Sequence, residues 1–234
     1  MQNSKTNNWQ SYSHLAKEYD SNRFMGKDGA FLFETDGRIV RYLHSQTNAQ
    51  RTIDVPVGTG RVFRYLPHSN ILGIDLTQEM LDVARSAMNP ECHRLKLGNA
   101  AELPAEDGAF DCLISLRFFH LFPSKDRGQF AREFLRVVRP GGYIIVSFTN
   151  GWYGGGIGWL RRAVGMRTVY FEYRKEVNKL FPACQVVCRV GNYIPKQRIL
   201  ENIPGLRTIL HKATTTFPLN RLCGEQYYLL QKPL

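Results

Sequence analysis

Asp54 sits in a short β-branched run, Thr52 to Val57, and is followed by Gly58, Gly60 and, 17 residues after Gly58, by Asp75. Glycines at 58 and 60 let the backbone turn sharply and come close to a ligand. A helix read from Arg61 to Leu66 would point its free N–H groups the same way. Asp75 closes the apolar run Ile71 to Ile74, where a parallel strand would end, and a carboxylate there can accept both hydroxyls of a ribose. The set suits a nucleotide-type cofactor. A dinucleotide fingerprint would need a third glycine three residues after the second, and Phe63 stands there, which disfavours a closely approached pyrophosphate and a nicotinamide oxidoreductase. His120 follows the fourth strand-like run, and its ring titrates near neutral pH, so it can take a proton from a phenol or an acid. Its setting, FFHLF, fits a core histidine better. Arg117 can hold an anionic group of substrate or cofactor, or pair with a local carboxylate. His14, His44, His68, His93 and His211 have no metal-ligand spacing, and no metal is expected.

The elements that must position these residues follow from periodicity. In residues 7–20, Trp9, Tyr12, Leu15, Ala16 and Tyr19 share one helical face; RFMGKDG at 23–29 reads as a loop, and residues 31–43 as a second helix. After the first strand, helix and second strand comes a helix with Thr77 as N-cap and Met80, Leu81, Ala84 and Met88 on one face. Strands are expected over 92–97, 110–115 and 143–148, with a glycine turn GNAAELP after the third. A helix over 125–138 is capped by Ser124 and stopped by the Arg139-Pro140-Gly141-Gly142 run. Residues 173–181 read as a helix, and 185–193 and 226–231 as strands, the last antiparallel. Strands alternating with helices predict an α/β fold, a doubly wound, mostly parallel seven-stranded sheet whose ligands bind at the carboxyl ends of the strands. Residues 151–171, rich in glycine, and 195–224 read as insertions over that edge, with the opposite edge as the alternative for the second.

IDVPVGTGR, then Asp75, GNAAELP at 98–104, FDCLISLRFFHLFP at 110–123 and LRVVRPGGYIIVSF at 135–148 resemble, in order and spacing, the class I S-adenosylmethionine-dependent methyltransferases. Within them the chain is most similar to the small-molecule and quinone methyltransferases, over about residues 8–150. The resemblance implies a Rossmann-like fold with N-terminal lid helices and S-adenosylmethionine as cofactor. It places Asp54 at the glycine turn and the cofactor's amino-acid portion, Gly58 and Gly60 at close backbone approach, and Asp75 at the ribose. Leu76 and Met80 take the adenine face, Asn99 with Ala100 the adenine edge, and Ser115 closes the fourth strand beside the cofactor. Asn99 replaces the family's usual aspartate but can still accept and donate, and Pro56 stands where a glycine is common, removing a donor. In the family a lid helix carries an AxxYD-like motif, which falls here on Ala16, Tyr19 and Asp20, with Tyr19 near the sulfonium; packing of the helix explains that tyrosine equally well. Substrate contacts are expected from Arg117, Trp152, Trp159 and Arg161, and His120 is the candidate base. Methyl transfer from a sulfonium requires alignment and water exclusion rather than a metal or a covalent nucleophile.

Length and composition bound these readings. The 234 residues suit one α/β domain, divided as 1–50 (lid helices), 51–150 (cofactor core) and 151–234 (substrate side and last strands). No run of about 18 apolar residues is present and the start is polar, so a cytoplasmic protein is expected. The five cysteines lack metal or redox spacing and read as buried thiols. The net charge of +11 is uneven: residues 151–234 hold 13 Lys plus Arg against 4 acids. That asymmetry points to an anionic partner, as a small-molecule or lipid-like acceptor or a peripheral contact with an anionic membrane surface, with a plain solvated surface as the alternative. No amino-methylating motif, catalytic cysteine motif or RNA-binding module is present, which makes nucleic acid the weaker reading. A non-catalytic cofactor-binding scaffold is the other alternative.

Overall fold

The computed structural model describes residues 27–150, 174–192 and 223–234. Helix α1 (Lys27–Ser45) leads into strand β1 (Thr52–Asp54), followed by α2 (Arg61–Tyr65), β2 (Ile71–Asp75), α3 (Gln78–Ala84), β3 (His93–Leu97) and β4 (Phe110–Ser115). Then come α4 (Ser124–Val137), β5 (Val138–Thr149), α5 (Arg174–Leu180), β6 (Gln185–Asn192) and β7 (Glu225–Gln231). The strands form one sheet in the order β3-β2-β1-β4-β5-β7-β6. The first five are parallel; β7 runs antiparallel to both β5 and β6, so the sheet is mixed at that end.

Both faces of the central strands are covered, which explains apolar stretches such as Leu113–Ile114 in β4 and Ile144–Val146 in β5. Alternation along β4 sends Leu113 to one face and Cys112 and Ile114 to the other. On the first face Leu113, Ile144 and Val146 pack against Phe130, Phe134 and Val137 of α4 and against Phe118 and Phe119. On the second, Ile114, Ile145 and Tyr227 meet Val40 and Leu43 of α1, Val62 and Phe63 of α2 and Leu81 and Ala84 of α3. The order also sets the site: β1 lies between β2 and β4, with Asp54 registered on Gly73 and Ile114. The chain crosses to opposite faces from β1, and the crevice at its carboxyl end is where such sheets bind ligands.

Local corrections have local causes. β1 is three residues long, although the Val55 N–H still donates to the Ile114 carbonyl at 2.9 Å and the Val57 N–H to the Ile74 carbonyl at 2.8 Å; the Val55-Pro56 peptide is cis. Helix α1 starts at Lys27, so the end of the expected 23–29 loop is helical. Thr77 is the N-cap of α3 by position but makes no side-chain cap hydrogen bond; its hydroxyl donates to Asp75. Ser124 is the first residue of α4, with Pro123 as N-cap. Helix α3 stops at Ala84 and passes into a 3-10 turn, Arg85–Ala87, so Met88 is off the helix. Strand β5 begins at Val138, absorbing Arg139 to Gly142 as an irregular lead-in with a register shift opposite Phe110 and Cys112. The helix expected at 7–20, the glycine-rich stretch 151–171 and most of the 195–224 insertion lie outside the described residues.

Candidate cofactor site

A cavity of about 440 Å³ opens at the carboxyl ends of β1, β2 and β4. Its floor is the β1–α2 turn, Asp54 to Thr59 with Arg61; one wall is Asp75 to Thr77 and Met80, another the turn Gly98 to Ala101. The far wall is apolar, built from Leu116, Phe118, Leu121 and Phe122 with Phe130 of α4, and carries Gln129 and Asp126.

Two carboxylates give the floor its character. Asp54 is 1% exposed, and its Oδ2 has no hydrogen-bond partner among the described residues. Burial pushes its carboxyl well above the usual range; Arg61 beside it pulls the other way, and Asp75 adds to the rise. Asp75 is satisfied by the loop itself: Gly58 N–H donates to Oδ2 at 3.0 Å, and Thr77 donates to Oδ1 from its N–H at 3.1 Å and its hydroxyl at 3.3 Å. Burial raises the Asp75 carboxyl too, while the Thr77 and Gly58 hydrogen bonds lower it. The two glycines differ. Gly58, at φ 53°, lines the cavity and has open space where a Cβ would stand. Gly60, at φ 77°, would put a Cβ 3.0 Å from Ala87 Cβ and 3.1 Å from the Ala84 carbonyl, so its close approach is to the end of α3.

A methyltransferase-domain family model matches residues 53–146, the segment that builds this crevice. The chain is 30% identical over 141 residues to the demethylmenaquinone methyltransferase of Thermotoga maritima, covering 58% of this chain and 58% of that protein. It is 30% identical over 110 residues to the mouse (Mus musculus) protein named probable tRNA methyltransferase 9B, covering 47% of this chain and 24% of that one. Among solved structures, the magnesium protoporphyrin IX methyltransferase of Synechocystis with bound SAH superposes with a TM-score of 0.67 at 13% identity, covering 96% of this chain and 98% of that one. The matched segment, residues 53–146, is similar to the class I S-adenosylmethionine-dependent methyltransferases. The chain thus spans between about a quarter and three fifths of the length of these curated relatives.

The residues fit the methyltransferase cofactor. The buried Asp54 oxygen could accept from the ammonium of a methionine portion, and Arg61 next to it could hold the carboxylate of the same zwitterion. Leu76, 43% exposed at the cavity, and buried Met80 offer an apolar surface for a flat base. A carboxylate has roughly four acceptor positions. Asp75 already accepts from the Gly58 N–H, the Thr77 N–H and the Thr77 hydroxyl, with the Leu76 N–H also against it, so a ribose hydroxyl gains room when the Thr77 hydroxyl turns away. Asn99 accepts the Ala101 N–H at 2.9 Å, which shapes its turn and commits part of its acceptor capacity.

Nine of the residues singled out in the sequence line the cavity: Asp54, Pro56, Gly58, Asp75, Leu76 and Met80, with Asn99, Ala100 and Arg117. Gly60, Ser115 and His120 are not on its wall. Ser115 is wholly buried at the end of β4. His120 is 6% exposed in the 3-10 turn Phe119–Leu121, whose Leu121 faces the cavity instead. Arg117 is ion-paired to Asp36 of α1 at 2.6 Å; burial opposes its charge, but Asp36, Tyr227 and Glu225 outweigh that and hold it firmly protonated. Tyr19, Trp152, Trp159 and Arg161 lie outside the described residues. Sequence reasoning missed Arg61, Thr77 and the aromatic wall. Arg61 had a signal, standing directly after Gly60; Phe118 and Phe122 did not, because FFHLF reads as core whether or not a cavity adjoins it.

Proposed function

We propose that the chain transfers a methyl group from S-adenosylmethionine to a small-molecule or lipid-like, anionic acceptor. The observation that carries this is the buried, unpartnered Asp54 oxygen on the floor of a cavity that also holds Asp75, Gly58 and an apolar wall. S-adenosylmethionine, when bound, supplies a methyl group on a cationic sulfur that is already activated for in-line displacement. The chain's own residues then bind and align. Asp54 and Arg61 hold the zwitterionic end, Asp75 holds the ribose, and the Leu116–Phe122 wall keeps water from the reacting face. His120, off the wall, has no part in this reading.

Support for the acceptor class comes from the quinone-methylating relative and from the basic last third of the chain. An RNA acceptor is the second reading, favoured by the likeness to the tRNA methyltransferase and by the same basic charge. Peripheral membrane contact by residues 151–234 accompanies the lipid-like reading; among the described residues no helix is long and apolar enough to cross a membrane. The test is to incubate the protein with S-adenosylmethionine labelled on its methyl group and fractionated cell extract. Label in the lipid or small-molecule fraction is expected, label in RNA establishes the second reading, and binding without any transfer establishes a scaffold.

A further inference from the structure

Asp36 lies on α1, outside the matched 53–146 segment, and is 1% exposed. Its Oδ2 accepts from Arg117 Nη2 at 2.6 Å and has Arg61 Nη1 at 3.8 Å; its Oδ1 accepts from Asn192 Nδ2 at 2.7 Å and from the Tyr227 hydroxyl at 2.5 Å. Both arginines line the cavity, whereas no residue of α1 does among the described residues. One buried carboxylate thus joins a helix before the sheet, two arginines on the cavity wall, and the last two strands.

Arg117 makes this joint consequential. Its φ of 54° is a conformation that a side-chain-bearing residue adopts only when its surroundings impose it. Among the described residues those surroundings include Asp36 on its side chain and Ser147 on its backbone: Arg117 N–H donates to Ser147 Oγ at 2.8 Å, and that hydroxyl donates to Glu225 at 2.8 Å. The neighbours in sequence, Leu116 and Phe118, both line the cavity. Where Arg117 is held therefore sets where the wall stands.

We infer that Asp36 is a positioning residue of the ligand cavity, coupling the docking of α1 and the β6–β7 pair to ligand binding through Arg117 and Arg61. This rests on the cavity being the cofactor site. Coupling is reciprocal, so a ligand that needs the wall in place must in turn strengthen the docking of α1, without touching it.

The test uses the full chain with S-adenosylhomocysteine as probe. In the wild type, saturating ligand should slow hydrogen exchange of the amides at 31–45 as well as those of the β1–α2 turn. Asp36→Asn, which keeps the shape and removes the charge, should raise the dissociation constant tenfold or more and abolish the slowing at 31–45. Combined with Arg117→Gln, it should cost no more than the worse single change, because both act on one linkage. Unchanged exchange at 31–45 in the ligand-saturated wild type overturns the inference even if the variant does not fold, and so does a folded Asp36→Asn protein that binds as the wild type does. Failure of the wild type to bind at all is a different result and overturns the cofactor reading beneath it.

Discussion

Replacing Asp54 by asparagine should separate stability from binding. Asp54 is 1% exposed, its Oδ2 has no hydrogen-bond partner among the described residues, and burial holds its carboxyl well above the usual range. An unsatisfied buried polar group costs about 1–3 kcal/mol, and asparagine keeps part of that cost, so a gain of about 1 kcal/mol is the working figure. For a chain of this size that is about 2–4 °C in Tm. The sign with pH follows from the raised pKa. Below the ordinary carboxylate range Asp54 is neutral folded and unfolded, and the variant has no advantage; as pH rises through the folded-state value the wild type alone loses stability. The Tm difference should therefore open at neutral pH and close in acid. Binding moves the other way. Losing a hydrogen bond between the carboxylate and an ammonium costs about 1.5–3 kcal/mol, roughly 10- to 150-fold in Kd for S-adenosylhomocysteine. Thermal melts from pH 4 to 8 and calorimetry at pH 7.5 check both halves. A variant that melts lower at every pH, or binds undiminished, refutes the assignment of Asp54 as a buried acceptor kept for the ligand.

Asp75→Ala should weaken S-adenosylhomocysteine by a similar factor and also lower Tm, since the Gly58 and Thr77 N–H groups lose their acceptor; an unchanged Kd in folded protein removes Asp75 from the site. His120→Ala should destabilise by about 1–3 kcal/mol with turnover within about threefold of wild type, and a loss of about 100-fold or more would restore it as a general base. Replacing Arg161, Arg162 and Arg167 together by glutamine should reduce sedimentation with anionic vesicles, an effect that added salt also produces in the wild type; absence of wild-type sedimentation at low salt removes the membrane contact and leaves a dissolved anionic acceptor.

The fold was legible where periodicity and breakers agree. ILGID and FDCLIS became β2 and β4 with the expected bounds, because buried parallel strands need uninterrupted apolar residues and the flanking polar residues end them. The floor of the cavity was legible for a related reason: an acid, two glycines and a second acid at fixed spacing follow the strand-turn-helix path. What escaped depends on distant partners. Thr77 stands at the N-cap of its helix as the sequence rule expects, yet it makes no side-chain cap hydrogen bond, its hydroxyl donating to Asp75. Ser115 and His120 adjoin cavity residues along the chain, yet strand alternation and the 3-10 turn direct them off the wall. Asp36 reads as a solvated acid on an amphipathic helix; only its meeting with Tyr227, 191 residues away, and with Arg117 shows it buried.

The most direct test of the account is a crystal structure of the wild-type chain with S-adenosylhomocysteine. The ligand should lie in the cavity at the ends of β1, β2 and β4, with its amino group within about 3 Å of Asp54 and at least one ribose hydroxyl on Asp75. A ligand bound elsewhere, or bound there with Asp54 and Asp75 both away from it, would contradict the assignment of the site.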